Sequence, residues 1–299
     1  MAQSEFAYTK APEGHRLHGH ATLGPVHLQV ADLARSVAYY ERVIGLQSLS
    51  SDDATATLGV RADAMPLVVL HHLKGAAPVP KRGRLGLYHF AILLPNREAL
   101  GRFIAHLASI GAYAGMSDHF VSEAVYLTDP DGLGIEVYAD RPRESWRIAN
   151  SRLEMGTVTL NAADLVRASR GITWDGVPPG TRIGHVHLFV SDLAAAERFY
   201  HEGLGLDKVL LEYPGALFMS AGGYHHHLGT NTWAAGAPRA QADDARMLEW
   251  SVILPTAADV EQTARALERA GATISRADGD VTAADPWGTI VRVTTKTPS

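Results

Sequence analysis

The chain has 299 residues, 46% of them hydrophobic and 20% charged, with a net charge of −5, enough for two ordinary domains with buried cores. The charges are mixed in sign and no Lys/Arg cluster forms a stripe, so no nucleic-acid partner is expected. There is no cysteine, which excludes disulfides and thiolate metal sites, fits a reducing compartment, and leaves His and carboxylate as the available metal ligands.

Residues 1–22 read as an irregular arm. The arm lacks the apolar run of a signal peptide, and no stretch of the chain approaches membrane-spanning length. A cytoplasmic protein with no membrane partner is therefore expected. From residue 23 onward the chain repeats itself. GPVHLQVADLARSVAYYERVIGL (24–46) lies over GHVHLFVSDLAAAERFYHEGLGL (184–206) at an offset of 160, with 11 of 23 positions identical. Each copy reads as a strand, then Asp-Leu, then an amphipathic helix ending in Gly-Leu. Asp32 is placed to cap its helix by accepting from free amides of the first turn. Gly45 and Gly205 stand where a C-terminal cap glycine belongs.

The correspondence continues with YHFAILLP (88–95) over LEWSVILP (248–255), each followed by a helical pattern ending in Gly-Ala. Late in each half an Asp-Pro turn, DPDG (129–132) or DPWG (285–288), precedes a final strand. Four units thus begin near residues 24, 86, 184 and 246. The organisation expected is an arm (1–22), a first domain (23–140), a connector (141–182) with a short helix near 161–169, and a second domain (183–299).

Four βαβββ units in tandem, paired into two concave mixed sheets, resemble the vicinal oxygen chelate superfamily of glyoxalases, bleomycin resistance proteins and extradiol dioxygenases. The resemblance spans about 24–295 and rests on the repeat, the Asp-Leu helix start and the segment DPDGLGIE. It implies an α+β fold.

Alternation along strands selects the candidate site. In VHLQV, Val26, Leu28 and Val30 face the helices, which leaves His27 and Gln29 on the concave side. In YHFAIL, Tyr88, Phe90 and Ile92 form one face and His89 falls on the other. In GIEVY, Ile135 and Val137 face the core and Glu136 opposes them. Two imidazoles and one carboxylate on one face of a metal leave the other face open, the arrangement of non-haem Fe(II) oxygenases. His27, His89 and Glu136 are the metal ligands expected from this pattern.

The stretch DHFVSEAVYLTDPDGLGIE (118–136) resembles the metal segment of type I extradiol ring-cleaving dioxygenases. That resemblance implies Fe(II), with Mn(II) as a substitute, a catecholic substrate, O2 and a homo-oligomer. It gives His119 and either His71 or His72 acid/base roles, and Tyr126 a hydrogen bond to substrate. The residue types leave two other readings open: a metal-dependent glyoxalase-type isomerase or lyase, and a small-molecule binding protein without catalysis. In most two-domain relatives the metal lies in the C-terminal half, whereas here that half has His187 matching His27 but Glu249 at the place of His89 and Arg292 at the place of Glu136. His187, Glu249 and the run His225, His226, His227 are the residues from which a second metal site would be built, but Arg292 spoils its fourth position and three consecutive strand residues cannot share a face, so a structural or interface role is expected for the run instead. Arg141 and Arg143, just after the metal strand, read as a solvated turn rather than as contacts to an acidic substrate.

Overall fold

The computed structural model describes residues 6–210 and 213–296. Each repeat unit opens with a long strand: Thr22–Val30, Gly86–Leu94, Arg182–Phe189 and Arg246–Ile253. A helix follows each, Leu33–Tyr39, Arg97–Ser109, Leu193–Ala196 and Ala257–Arg269. The helices of the first and third units run on into π-helical turns, Tyr40–Ile44 and Glu197–Gly203. The Asp-Leu starts are capped as the sequence implies. Asp32 accepts from the Arg35 amide at 3.0 Å, and Asp192 from the amides of Ala194 and Ala195 at 2.8 and 3.2 Å. Gly45 and Gly205 take φ of 84° and 94°, which a Cβ would resist.

Three more strands complete each unit. They are Gln47–Ser51, Thr55–Val60 and Met65–His72 in the first, and Gly115–Asp118, Ser122–Thr128 and Gly134–Asp140 in the second. The third has Asp207–Leu210, Ala216–Ser220 and Leu228–Asn231, and the fourth Ile274–Ala277, Asp280–Ala284 and Ile290–Thr294. The chain is an α+β protein of four βαβββ units in two curled mixed sheets, as expected.

The pairing of units crosses the two halves of the chain. An eight-stranded sheet joins the first unit to the fourth through antiparallel contact of Thr22–Val30 with Arg246–Ile253. A nine-stranded sheet joins the second to the third through Gly86–Leu94 and Arg182–Phe189. The ranges 23–140 and 183–299 follow the sequence repeat, but each contributes one unit to either sheet. The connector makes this geometry reachable. Its strand Val158–Thr159 adds to the edge at Gly115–Asp118. Its helix Ala162–Ala168 packs on Arg97–Ser109, fastened by Arg97, which pairs with Asp164 at 2.7 Å and Glu123 at 2.6 Å. The described part of the N-terminal arm lies on the third unit, where Arg16 pairs with Asp207 at 2.5 Å and the Leu17 amide donates to Gly205.

Alternate residues of the leading strands enter one core. Val26, Leu28, Val30, Phe90, Ile92, Val186 and Leu188 are fully buried there with Tyr40, Phe103, Tyr200 and Leu267 of the helices. Burial of each such large side chain stabilises the fold by about 1.5–3 kcal/mol. The two Asp-Pro turns repeat one device. Asp129 Oδ1 accepts from the amides of Asp131 and Leu133 at 2.9 and 2.8 Å, and Tyr40 of the preceding unit donates to Oδ2. Asp285 does the same for Trp287, Thr289 and Tyr200. Among the described residues no helix is long and apolar enough to cross a membrane.

Candidate metal centre

The concave face of the nine-stranded sheet carries the residues that the core face leaves over. His89 stands on the leading strand of the second unit and Glu136 on its closing strand, which pairs with it in parallel (Ala91 opposite Glu136). The leading strand of the third unit adds His185 opposite Ala91 and His187 opposite His89. His89, Glu136 and His185 each offer a ligand atom, and the three atoms lie within 4.8 Å of one another. All three side chains are buried, at 6%, 3% and 1% exposure. Gly134 lets the closing strand approach: a Cβ there would collide with the Tyr88 carbonyl and stand 3.2 Å from the Cβ of His89.

The electrostatics suit a cation. Burial lowers the His185 imidazole to about 4 against the opposing pull of Glu136, so it is neutral at pH 7. Burial alone would raise the Glu136 carboxyl, but His185 and His89 together outweigh it and hold the group well below its ordinary range. His89 Nε2 lies 3.1 Å from Glu136 Oε2 yet outside hydrogen-bonding geometry, and it is buried without a hydrogen-bond partner. An orphaned ring nitrogen beside a buried carboxylate is costly unless a third species binds both. The donor set and the orphan therefore fit a divalent ion with two nitrogen ligands and one oxygen ligand.

Beside this cluster is a cavity of about 330 Å³, into which His89, His119, Tyr126, Glu136, His187 and His226 project. His119 sits in the hairpin between Gly115–Asp118 and Ser122–Thr128, where Phe120 takes a φ of 70°. Its Nδ1 is 2.7 Å from the Gly156 carbonyl, which can only accept, so Nδ1 carries the proton. Nε2 then accepts from the Tyr126 hydroxyl at 2.5 Å. Burial, reinforced by the charge on Glu136, raises the Tyr126 phenol far above its ordinary value, so it remains a donor.

His226 lies against His185, with ring centroids 4.1 Å apart. Its Nδ1 meets His225 Nδ1 at 2.7 Å, and His225 Nε2 is 2.9 Å from Asp140 Oδ1. Burial keeps His226 neutral. Asp140 thus anchors His225, and His225 in turn fixes the orientation of the His226 ring that lines the cavity.

Of the residues expected from sequence, the structure brings together His89, Glu136, His119 and Tyr126. His27 is not among them. It lies in the other sheet, paired across strands with Glu249 and hydrogen-bonded to His71 at 3.0 Å. The third ligand atom beside His89 and Glu136 comes from His185 instead, because the second unit pairs with the third and not with the first. His71 and His72 end a strand of that other sheet and are absent from the cavity. The matching stretch of the third unit supplies His226 in their place. The second metal site does not assemble. His187 accepts from Asn231 at 3.0 Å in the nine-stranded sheet, while Glu249 is gripped by Arg292 at 2.6 and 2.9 Å in the eight-stranded one. His225 and His227 turn away from the cavity, to Asp140 and to the Ala221 amide. The signal for His185 was present in GHVHL, where His185 and His187 are two apart and share a face. The first copy has Pro25 at that place, so comparing the copies directed attention to His27 and His187.

This geometry defines a paired-repeat α+β protein with a two-histidine, one-carboxylate donor set, of which His89 and Glu136 line a cavity. The family model described as "Glyoxalase/Bleomycin resistance protein/Dioxygenase superfamily" matches residues 20–137 and 182–292, and the chain belongs to that superfamily. A catechol-2,3-dioxygenase of Bacillus subtilis (strain 168) is 39% identical over 274 residues, covering 90% of this chain and 95% of that protein. This similarity supports a dioxygenase-type enzyme. Among solved structures, a candidate dioxygenase from Bacillus subtilis subsp. subtilis str. 168 superposes with a TM-score of 0.65 at 14% identity, covering 96% of this chain and 87% of that one. Glyoxalase I from Zea mays gives a TM-score of 0.54 at 18% identity, with 92% of each chain covered. At these identities the two structures bear on the fold alone.

Proposed function

We propose that the protein is an extradiol ring-cleaving dioxygenase that inserts O2 into a catecholic substrate, with Fe(II), or Mn(II) in its place, held by His89, Glu136 and His185. The observation that carries this reading is the three-ligand cluster opening onto a cavity that also holds the His119–Tyr126 pair and His226. When bound, the metal supplies chelation of both catechol oxygens and a site for dioxygen. Three protein ligands rather than four leave room for that chelation.

The chain's own groups then divide the proton work. His226, kept neutral by burial, accepts a proton from a catechol hydroxyl as substrate binds. His225, anchored on Asp140, fixes the orientation of its ring. On the other side of the cluster, Tyr126, whose hydroxyl rests on His119 before substrate arrives, turns to donate towards a substrate oxygen. Burial excludes water around Glu136 and strengthens each of these interactions.

The test joins metal analysis to an anaerobic assay. Protein purified without oxygen is expected to hold about one Fe or Mn per chain and to yield a yellow ring-fission product from catechol and O2. His89→Ala and His185→Ala should abolish both, while His27→Ala should keep them. Metal bound without oxygen uptake on any of a panel of catechols would shift the reading to glyoxalase-type chemistry.

A further inference from the structure

We infer that the substrates taken by this site are neutral catechols with an apolar substituent, and that carboxylated catechols are poorly bound. The inference rests on the dioxygenase reading and adds the substrate class. Its first support is charge. Among the described residues no Lys or Arg lines the cavity, and the anionic group there is Glu136. Residues 211–212, which follow Leu210 of the wall, are Leu and Glu and add no cation. Two arginines follow the strand that carries Glu136, and both are committed elsewhere. Arg141 is ion-paired with Asp118 at 2.6 Å and Glu123 at 3.1 Å. Arg143 donates to the carbonyls of Gly222 and Gly223 and lies 4.6 Å above the ring of Phe6. With the diol occupying the metal, a substrate carboxylate would lie against walls that offer it no side-chain counter-ion.

The second support is shape. The apolar part of the lining is Met155, Leu210, Tyr213, Phe218 and Trp233, with Phe218 packed against the rings of His187 and His226. Trp233 is 52% exposed at the rim, and its ring meets those of Tyr88 and His187 at 5.9 and 5.8 Å. The cavity volume, about 330 Å³, exceeds the roughly 150 Å³ that accommodates benzene. With the diol at the His89–Glu136–His185 cluster, most of the surplus space is bounded by apolar side chains, and an apolar substituent gains by leaving water there.

Anaerobic calorimetry on the Fe(II)-loaded protein tests this, comparing 4-propylcatechol with 3,4-dihydroxybenzoate, with ring cleavage measured separately under O2. Binding of 4-propylcatechol should be at least about 100-fold tighter. Leu210→Arg, which puts a cation on the wall, should close that gap by about tenfold. Trp233→Ala, at an exposed position, should weaken the alkylcatechol by more than it weakens the benzoate. Equal or tighter binding of the benzoate by the wild type overturns the substrate class; its cleavage would then leave the dioxygenase reading standing. A binding preference for the alkylcatechol without cleavage of either compound supports the class and overturns the dioxygenase reading. Binding of neither overturns both.

Discussion

Exchanging one histidine at a time separates the two sheets as homes for the metal. A ligand that binds only the folded protein stabilises it by about 2.7 kcal/mol when supplied at 100 times its Kd. For a chain of this size that corresponds to a rise in Tm of roughly 4 °C. His185 offers one of three ligand atoms lying within 4.8 Å of one another. Loss of an outer-shell partner of a metal ligand weakens binding by up to about 100-fold, so loss of a ligand itself should cost no less. At the same metal concentration the stabilisation in His185→Ala would fall to about 0.4 kcal/mol, a shift in Tm of roughly 1 °C. His27 sits opposite Glu249 in the other sheet, so His27→Ala should keep the full metal-dependent shift. Anaerobic thermal unfolding with and without Fe(II) reads both variants directly. A shift that survives in His185→Ala and disappears in His27→Ala would refute the assignment and the sheet pairing behind it.

Tyr126→Phe removes the hydroxyl held 2.5 Å from His119 and should lower kcat by about 100-fold, with metal content measured as unchanged. Arg292→Ala leaves Glu249 without the bidentate partner it holds at 2.6 and 2.9 Å. Because Arg292 is partly exposed, the expected destabilisation in urea unfolding is about 1–3 kcal/mol, and the double change Arg292→Met with Glu249→Leu should recover most of it. Burial lowers His185 to about 4 and His227 to about 3, both below the ordinary 6.5. The unfolded chain therefore binds more protons, and the metal-free protein should lose stability as pH falls from about 6.5 towards 4. Denaturant midpoints that stay level or rise over that interval would contradict the buried, neutral state of these imidazoles.

Much of the architecture is legible in local chemistry. Asp32 and Asp192 cap helices because their carboxylates reach free amides within the same turn, and the DPDG and DPWG turns fold on hydrogen bonds between near neighbours. His89 and Glu136 are legible because alternation places a polar residue opposite a buried apolar row, and because both belong to one unit. Tyr126 and His119 belong to that unit as well. The short helix of the connector falls at Ala162–Ala168, inside the window its sequence indicates.

Which unit lies beside which was decided only by tertiary structure. The leading strands have similar patterns of apolar and polar residues, so local propensity and alternation alone do not distinguish pairing of the second unit with the first from pairing with the third. The connector, packed on Arg97–Ser109 through Arg97 and Asp164, carries the third unit alongside the second. That contact brings His185 to His89 and Glu136, leaves His27 facing Glu249 and Arg292, and delivers His226 to the cavity in place of His71 or His72. A donor set shared between strands nearly fifty residues apart depends on packing at long range, whereas the identity and facing of each donor follow from the two-residue period of its own strand.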